Sequence, residues 1–211
     1  MTGEVGGIAL SRARRALVAF GIASAAAITA CGADGSSGGL SGFVSDPPLS
    51  VAGLSLPDAA NSDADFVLTP PEDSLLIVYF GYTACPDVCP TTMHEVEVAL
   101  RQVGDLADRV DVAMVTIDPS RDEPRLLANY VHDFVPDGHA LRTDDGALLG
   151  KVAAAFGASY SIATDDDGTV KVGHTPNLYA VDDTGTVVLT WPFGLPGSSI
   201  AADLELLLEA P

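Results

Sequence analysis

Residues 75–90 read LLIVYFGYTACPDVCP, and this stretch decides how the rest of the chain is interpreted. Its first part, Leu75 to Phe80, is a continuous apolar run of the kind found in strands that are buried on both faces. A helical pattern follows Pro90, with apolar residues spaced three and four positions apart. The two cysteines, Cys85 and Cys89, are therefore predicted to lie where a strand turns into a helix.

The chain beyond this stretch alternates helices and strands. A second apolar run, Val110 to Ile117, predicts a strand parallel to the first, because two buried strands joined by a helix form a β-α-β unit. Further helices are predicted from Pro124 to Phe134, from Asp144 to Phe156 and from Ser199 to Leu208, with hairpin turns at 165–168 and 182–185. This order predicts an α/β protein with a thioredoxin-like fold, in which helices flank a central mixed sheet.

The first 30 residues predict a signal peptide. Three arginines, at positions 12, 14 and 15, precede an uncharged run that is too short to span a bilayer comfortably. The run ends in Ile28-Thr29-Ala30-Cys31, which resembles the lipobox of bacterial lipoproteins. Cys31 is therefore expected to carry the lipid anchor of an exported protein on the outer face of the cytoplasmic membrane, and both Sec and twin-arginine export fit the arginines.

Residues 31–57 predict a flexible tether, because they are mostly Gly, Ser, Ala and Pro with few apolar anchors. The folded, thioredoxin-like domain is expected at residues 58–211. Within it, Phe66 to Leu68 predicts a short edge strand before a turn at Pro70-Pro71.

The charge of the chain argues against a nucleic-acid role. The net charge is −19, from 10 Lys and Arg against 29 Asp and Glu, whereas phosphate binding requires a cationic surface. The acidic surface favours cationic ligands without selecting one. Membrane contact is expected through the lipid anchor only.

Local chemistry leaves three interpretations of the cysteine pair open. Pro90 is tolerated at the first helical position, which predicts that Cys89 lies near the N-cap and that Asp87 caps backbone N–H groups. A helix N-terminus stabilises a thiolate, which is both the nucleophile and the metal ligand. The pair is a structural disulfide, a redox-cycling dithiol or a metal site, although a disulfide across so short a loop restrains little chain entropy.

A metal site needs a further ligand, and His174 is the predicted one. It stands before the strand Leu178 to Val181, in a loop that faces the first helix of a thioredoxin-like sheet. His94, His132 and His139 are predicted to be solvated surface residues. Two soft thiolates with one imidazole suit Cu(I), and the same set can accept Cu(II), whereas structural zinc takes four protein ligands.

Several motifs resemble those of the Sco/SenC family, the thioredoxin-fold copper-binding proteins associated with assembly of respiratory cytochrome c oxidase. The similar segments are YFGYT at 79–83, CPDVCP at 85–90, TIDPSRDEP at 116–124, HT at 174–175, YAVD at 179–182 and WPFG at 191–194. By residue, the resemblance implies that Cys85, Cys89 and His174 bind copper. It implies no ligand role for Asp118, which is expected to serve the turn and the start of the next helix.

Two features depart from the family pattern. The segment from Phe66 to Leu75 is shorter than the hairpin that the family places before its first core strand. Thr175-Pro176 resembles the loop of thiol oxidoreductases in which a cis proline faces the cysteines, which leaves the state of this bond open.

Two functions are therefore considered. The first is a copper metallochaperone that delivers copper to the binuclear centre of the cytochrome c oxidase subunit bearing it. The alternative is a thiol-disulfide oxidoreductase that keeps the cysteines of that target reduced, with Cys85 and Cys89 as its redox pair. Other copper chaperones or thiol reductants are further candidate partners.

Overall fold

A computed structural model describes residues 39–209 of the 211-residue chain. The predictions for the signal peptide and for Cys31 lie outside these residues. In the described part, no helix is long and apolar enough to cross a membrane.

Ten strands and four α-helices make up the described chain. The strands are β1 (Leu49–Ser50), β2 (Ser55–Asp58), β3 (Ala64–Val67), β4 (Leu75–Gly81), β5 (Val110–Thr116), β6 (His139–Leu141), β7 (Tyr160–Thr164), β8 (Val170–His174), β9 (Leu178–Val181) and β10 (Thr186–Trp191). The helices are α1 (Val88–Val103), α2 (Pro124–His132), α3 (Gly146–Ala155) and α4 (Gly197–Glu209). The predicted elements after residue 75 are confirmed in order and type.

Eight of these strands form one mixed sheet in the order β1-β10-β9-β4-β5-β6-β2-β3. The central pairs β4–β5 and β5–β6 are parallel, while β9 runs antiparallel to β4. The predicted fold class, a mixed sheet flanked by helices, is confirmed. β7 and β8 pair only with each other among the described strands.

All seven residues of β4 are buried, because helices cover both faces of the sheet. Ile77 and Tyr79 point to the core formed with α1, α2 and α4. Val78 and Phe80 point to the opposite core, which α3 covers. The alternation of the strand therefore aims Tyr79 at the helix that carries the cysteines.

The predicted boundary between tether and domain is wrong for residues 39–57. Phe43 exchanges backbone hydrogen bonds of 2.9 Å with Thr190, and β1 extends the same edge of the sheet by pairing with β10. Val51 and Leu56 are completely buried. A few apolar residues scattered among Gly, Ser and Pro are enough here, because the edges of the sheet supply partners for the backbone.

The edge strand predicted near Phe66 is confirmed as β3, which forms a hairpin with β2. The hairpin expected before the first core strand therefore uses residues upstream of Phe66.

Candidate metal centre

The first turn of α1 differs from its prediction. The helix begins at Val88 with Asp87 as N-cap, so Pro90 is its third residue and Cys89 its second. Proline fits here because the N–H groups of the first turn have no acceptor within the helix. The predicted cap is also wrong, since the Asp87 side chain makes no capping hydrogen bond.

The sulfur of Cys85 takes the position of the capping acceptor. The backbone N–H of Cys89 donates to Cys85 Sγ at 3.2 Å, and the backbone N–H of Asp87 also faces this sulfur. N–H groups at the positive end of a helix stabilise an anion. The chain therefore folds around the sulfur in a way that favours its ionised form.

A buried carboxylate holds the loop that precedes Cys85. Asp122 is 0% exposed; it accepts hydrogen bonds from the backbone N–H and the hydroxyl of Thr83, the latter at 2.6 Å. It also accepts one from the Thr116 hydroxyl at 2.6 Å. The sequence gives no local signal for this role of Asp122, because its partner Thr83 lies 39 positions away.

His174 is the last residue of β8 and turns toward the cysteines. Its Nε2 lies 3.8 Å from Cys89 Sγ, and its Nδ1 lies 3.2 Å from the Thr175 carbonyl oxygen. Because a carbonyl only accepts, Nδ1 carries the proton and Nε2 offers its lone pair to the sulfurs. The rings of Tyr79 and Tyr82 meet the imidazole edge to face, each at 6.0 Å between centroids.

The structure thus brings the three predicted ligands together. Cys85 Sγ, Cys89 Sγ and a ring nitrogen of His174 all lie within 4.8 Å of one another. A thiolate and an imidazole that share one ion lie at most about 4.4 Å apart, from metal–ligand bonds of about 2.3 and 2.1 Å. The 3.8 Å separation of Cys89 and His174 meets this limit as it stands. Two thiolates and one neutral imidazole are a donor set that fits copper.

The two thiols have pKa values shifted in opposite directions. Burial opposes ionisation of Cys85, yet hydrogen bonds from the Cys89 thiol and from backbone N–H groups bring its pKa below the ordinary value. Burial, followed by the bond to Cys85, raises the pKa of Cys89 to about 12. Burial also lowers the pKa of His174, which keeps the ring neutral. Cys89 therefore holds a proton that a bound metal must displace.

The site borders a surface groove lined by Tyr82, Cys85, His174 and Pro176 among others. Cys85 is 9% exposed and Cys89 is 0% exposed, so an incoming group meets Cys85 and His174 first. The Thr175-Pro176 bond is trans, since the one cis bond of the described residues is Asp46-Pro47.

The other three histidines do not reach the site. His94 is exposed and pairs with Glu97 at 3.2 Å, and His132 contacts the Gly138 carbonyl oxygen at 3.1 Å. The surface prediction for His139 is wrong: its side chain is 26% exposed and its Nδ1 lies 2.8 Å from buried Asp58. A pair 81 positions apart in the sequence gives no local signal.

The fold is thioredoxin-like, and its two thiols and one imidazole form a group that could hold a metal ion. The chain belongs to the SCO1/SenC family, whose model matches residues 67–209. It spans about half the length of the curated relatives it matches; one, from Stutzerimonas stutzeri, is 32% identical over 112 residues, which are 53% of this chain and 54% of the relative.

Solved structures share the fold. One described as Bradyrhizobium japonicum ScoI with copper bound is 29% identical, covers 76% of this chain and 97% of its own, and superposes with a TM-score of 0.63. The apo Sco1 protein from Thermus thermophilus is 28% identical, covers 80% of this chain and 96% of its own, and gives a TM-score of 0.69.

Proposed function

We propose that this protein is a copper metallochaperone that binds one copper ion through Cys85, Cys89 and His174. The observation that carries the proposal is the arrangement of these three donor atoms within 4.8 Å of one another. The copper-bound relative of Bradyrhizobium japonicum supports copper as the cargo. Cu(I) is the preferred state, because two thiolates favour the softer ion, and the imidazole makes Cu(II) acceptable.

Transfer proceeds by exchange of ligands at the groove. The two thiols lie in and just before the first turn of α1, whereas His174 comes from the separate β7–β8 hairpin. A thiolate or imidazole of the acceptor displaces His174 first, because His174 is a single neutral donor on the exposed side. Cys85 is displaced next, and the buried Cys89 sulfur is the last ligand to dissociate from copper.

The acceptor is the subunit of cytochrome c oxidase that carries the binuclear copper centre. Membership of the SCO1/SenC family supports this target. The expected lipid anchor at Cys31 places the domain on the outer face of the cytoplasmic membrane, next to that subunit. Radiolabelled fatty acid tests the anchor: it labels the wild-type protein and leaves Cys31→Ala unlabelled.

A copper titration of the reduced protein tests the binding site. Wild-type protein binds one Cu(I) in competition with a chromophoric chelator, while Cys85→Ser and His174→Ala bind more weakly. His94→Ala is the matched control, since that ring is exposed and distant from the thiols. An unchanged Cu(I) affinity in both site variants would refute the proposal.

A second function, thiol-disulfide exchange with the same target, is favoured by the unequal thiols. The Cys85 thiolate would attack a target disulfide and form a mixed disulfide, releasing one target thiolate. Cys89, after losing its proton, would attack Cys85 Sγ and release the second. Two electrons pass to the target, and the protein is left with a Cys85–Cys89 disulfide. Turnover of an oxidised target peptide supports this function; its absence, with stoichiometric copper bound, favours the chaperone.

A further inference from the structure

The side chain of Tyr79 reaches the candidate copper site from the sheet side. Tyr79 lies in β4, is 0% exposed and packs in the same core as both cysteines. Its hydroxyl has no hydrogen-bond partner at normal distance among the described residues. Burying a hydroxyl without a partner costs free energy, so such a group in a native core requires an explanation.

The Tyr79 ring meets the His174 imidazole edge to face, with 6.0 Å between centroids, and the side chains nearest its hydroxyl are those of Cys89 and Thr92. The Thr92 hydroxyl already donates its proton to the Val88 carbonyl oxygen at 2.8 Å. A thiol sulfur is a weak acceptor, whereas a thiolate is a strong one. The Cys89 sulfur is therefore the acceptor available to the Tyr79 hydroxyl: a weak one as a thiol and a strong one as a metal-bound thiolate.

We propose that the Tyr79 hydroxyl donates a hydrogen bond to the Cys89 sulfur, weakly in the metal-free dithiol and strongly in the copper-bound state, so that Tyr79 is a positioning residue for the metal site. The inference rests on the proposed copper function. It explains why a strand whose side chains are otherwise apolar, Leu75 to Phe80, carries one side-chain hydroxyl near its end. A donor on a ligand sulfur fixes its orientation and reduces the electron density that it gives to the metal.

The chain offers a matched control in Tyr179. Its hydroxyl is also buried without a partner at normal distance, but the ring lies in the core on the opposite face of the sheet. Tyr79→Phe and Tyr179→Phe each remove one oxygen atom. Only the first removes a group that faces the cysteines.

Copper binding gives the first comparison. Cu(I) affinity, measured by competition with a chromophoric chelator, is expected to fall at least about tenfold in Tyr79→Phe. In the Cu(II) form, the thiolate-to-copper charge-transfer absorption is expected to move to lower energy, because the sulfur becomes easier to oxidise. Tyr179→Phe is expected to match the wild type in both measurements.

Equilibration of the metal-free protein with glutathione gives the second comparison. The reaction converts the dithiol and oxidised glutathione into the protein disulfide and two glutathione thiols. The Cys89 thiol donates to Cys85 in the dithiol, and a donor on its sulfur strengthens that bond, which the disulfide lacks. Tyr79→Phe is therefore expected to shift the equilibrium toward the disulfide, by about threefold, while Tyr179→Phe leaves it unchanged.

The outcomes separate this inference from the proposed function. If the wild type binds copper and Tyr79→Phe matches it in both comparisons, the hydrogen bond is refuted and the copper function stands. If no copper binds but the glutathione equilibrium moves only in Tyr79→Phe, the hydrogen bond stands and the copper function falls. Equal shifts in both variants, or a change in unfolding stability alone, would assign Tyr79 a purely structural role and overturn the inference.

Discussion

The candidate copper ligands come from two regions of different character. Cys85 and Cys89 lie in and before the first turn of α1, where backbone N–H groups contact the Cys85 sulfur and buried Asp122 holds the preceding loop. His174 ends a two-stranded sheet that pairs with no other strand of the described chain. Most residues of that hairpin are exposed, including Ile162.

The two regions therefore differ in how easily they move. Regions with few buried contacts open at low free-energy cost, whereas core elements open only with global unfolding. The α1 turn can keep its geometry while the hairpin moves His174 away from the sulfurs. A site built from one fixed pair and one detachable ligand can hold copper and still surrender it to a competing ligand.

Removing the support of the fixed region is expected to have the largest effect. Asp122→Ala leaves the Thr83 N–H and two hydroxyls without their buried acceptor. The free energy of unfolding is expected to fall by about 3–5 kcal/mol, since hydrogen bonds to a buried carboxylate are lost together. Urea denaturation measures it. Asp144→Ala is the control, because the Asp144 side chain is 74% exposed; its free energy of unfolding should stay within about 1 kcal/mol of the wild type. A loss in Asp122→Ala as small as in this control would show that the loop needs no anchor.

Removing the detachable ligand is expected to change copper release without changing the fold. His174→Ala should lose copper to excess glutathione about 10- to 100-fold faster, because affinity differences are expressed mainly in dissociation rates. Its unfolding free energy should stay within about 0.5 kcal/mol of the wild type, since the side chain lies outside the main sheet. His94→Ala should match the wild type in both. A release rate that does not move would mean that the imidazole does not retain the ion.

The unequal thiols predict how copper affinity depends on pH. Above the ordinary thiol pKa of 9.0, Cys85 is ionised because its own pKa is lower, while Cys89 keeps its proton up to about 12. Copper binding then displaces one proton. Affinity should therefore rise about tenfold per pH unit between pH 9 and pH 10.5, and the slope should steepen once the pH falls below the lowered pKa of Cys85, where that thiol is also protonated. Chelator competition across this range measures the slope; a flat profile would contradict a protonated Cys89.

The parts predicted correctly from sequence are those with a local signal. The uninterrupted apolar run predicts β4, and the apolar residues spaced three and four apart from Met93 to Val103 predict α1. Gly168 and Gly185 predict both late hairpins, because glycine readily adopts the positive φ that these turns have. The proximity of Cys85, Cys89 and His174 could be predicted from residue type plus the order of elements, because in this fold the order determines which loops face each other.

The parts that sequence reasoning missed depend on contacts between distant residues. Val51 and Leu56 are isolated apolar residues, and nothing near them in sequence shows that a sheet edge will cover them. The prediction that Asp87 caps α1 was wrong because the sulfur of Cys85 accepts the hydrogen bond at that helix end instead. Asp122 was not predicted to hold the loop before Cys85, because its partner Thr83 is 39 positions away.

The smallest effect predicted concerns the tip of the hairpin. Gly168 has a φ of +85° and Gly185 a φ of +77°, in similar Asp-rich turns. Alanine at Gly168 meets no atom within 4 Å, so it should cost only the backbone strain, about 1 kcal/mol, and only in the hairpin. Hydrogen exchange of the β7–β8 amides should accelerate about fivefold, with global unfolding unchanged. In Gly185→Ala the added Cβ would lie 2.8 Å from the Ala52 backbone beside the main sheet, so global stability should fall. If Gly168→Ala lowered global stability as much, the hairpin would belong to the cooperative core, and His174 could not detach on its own.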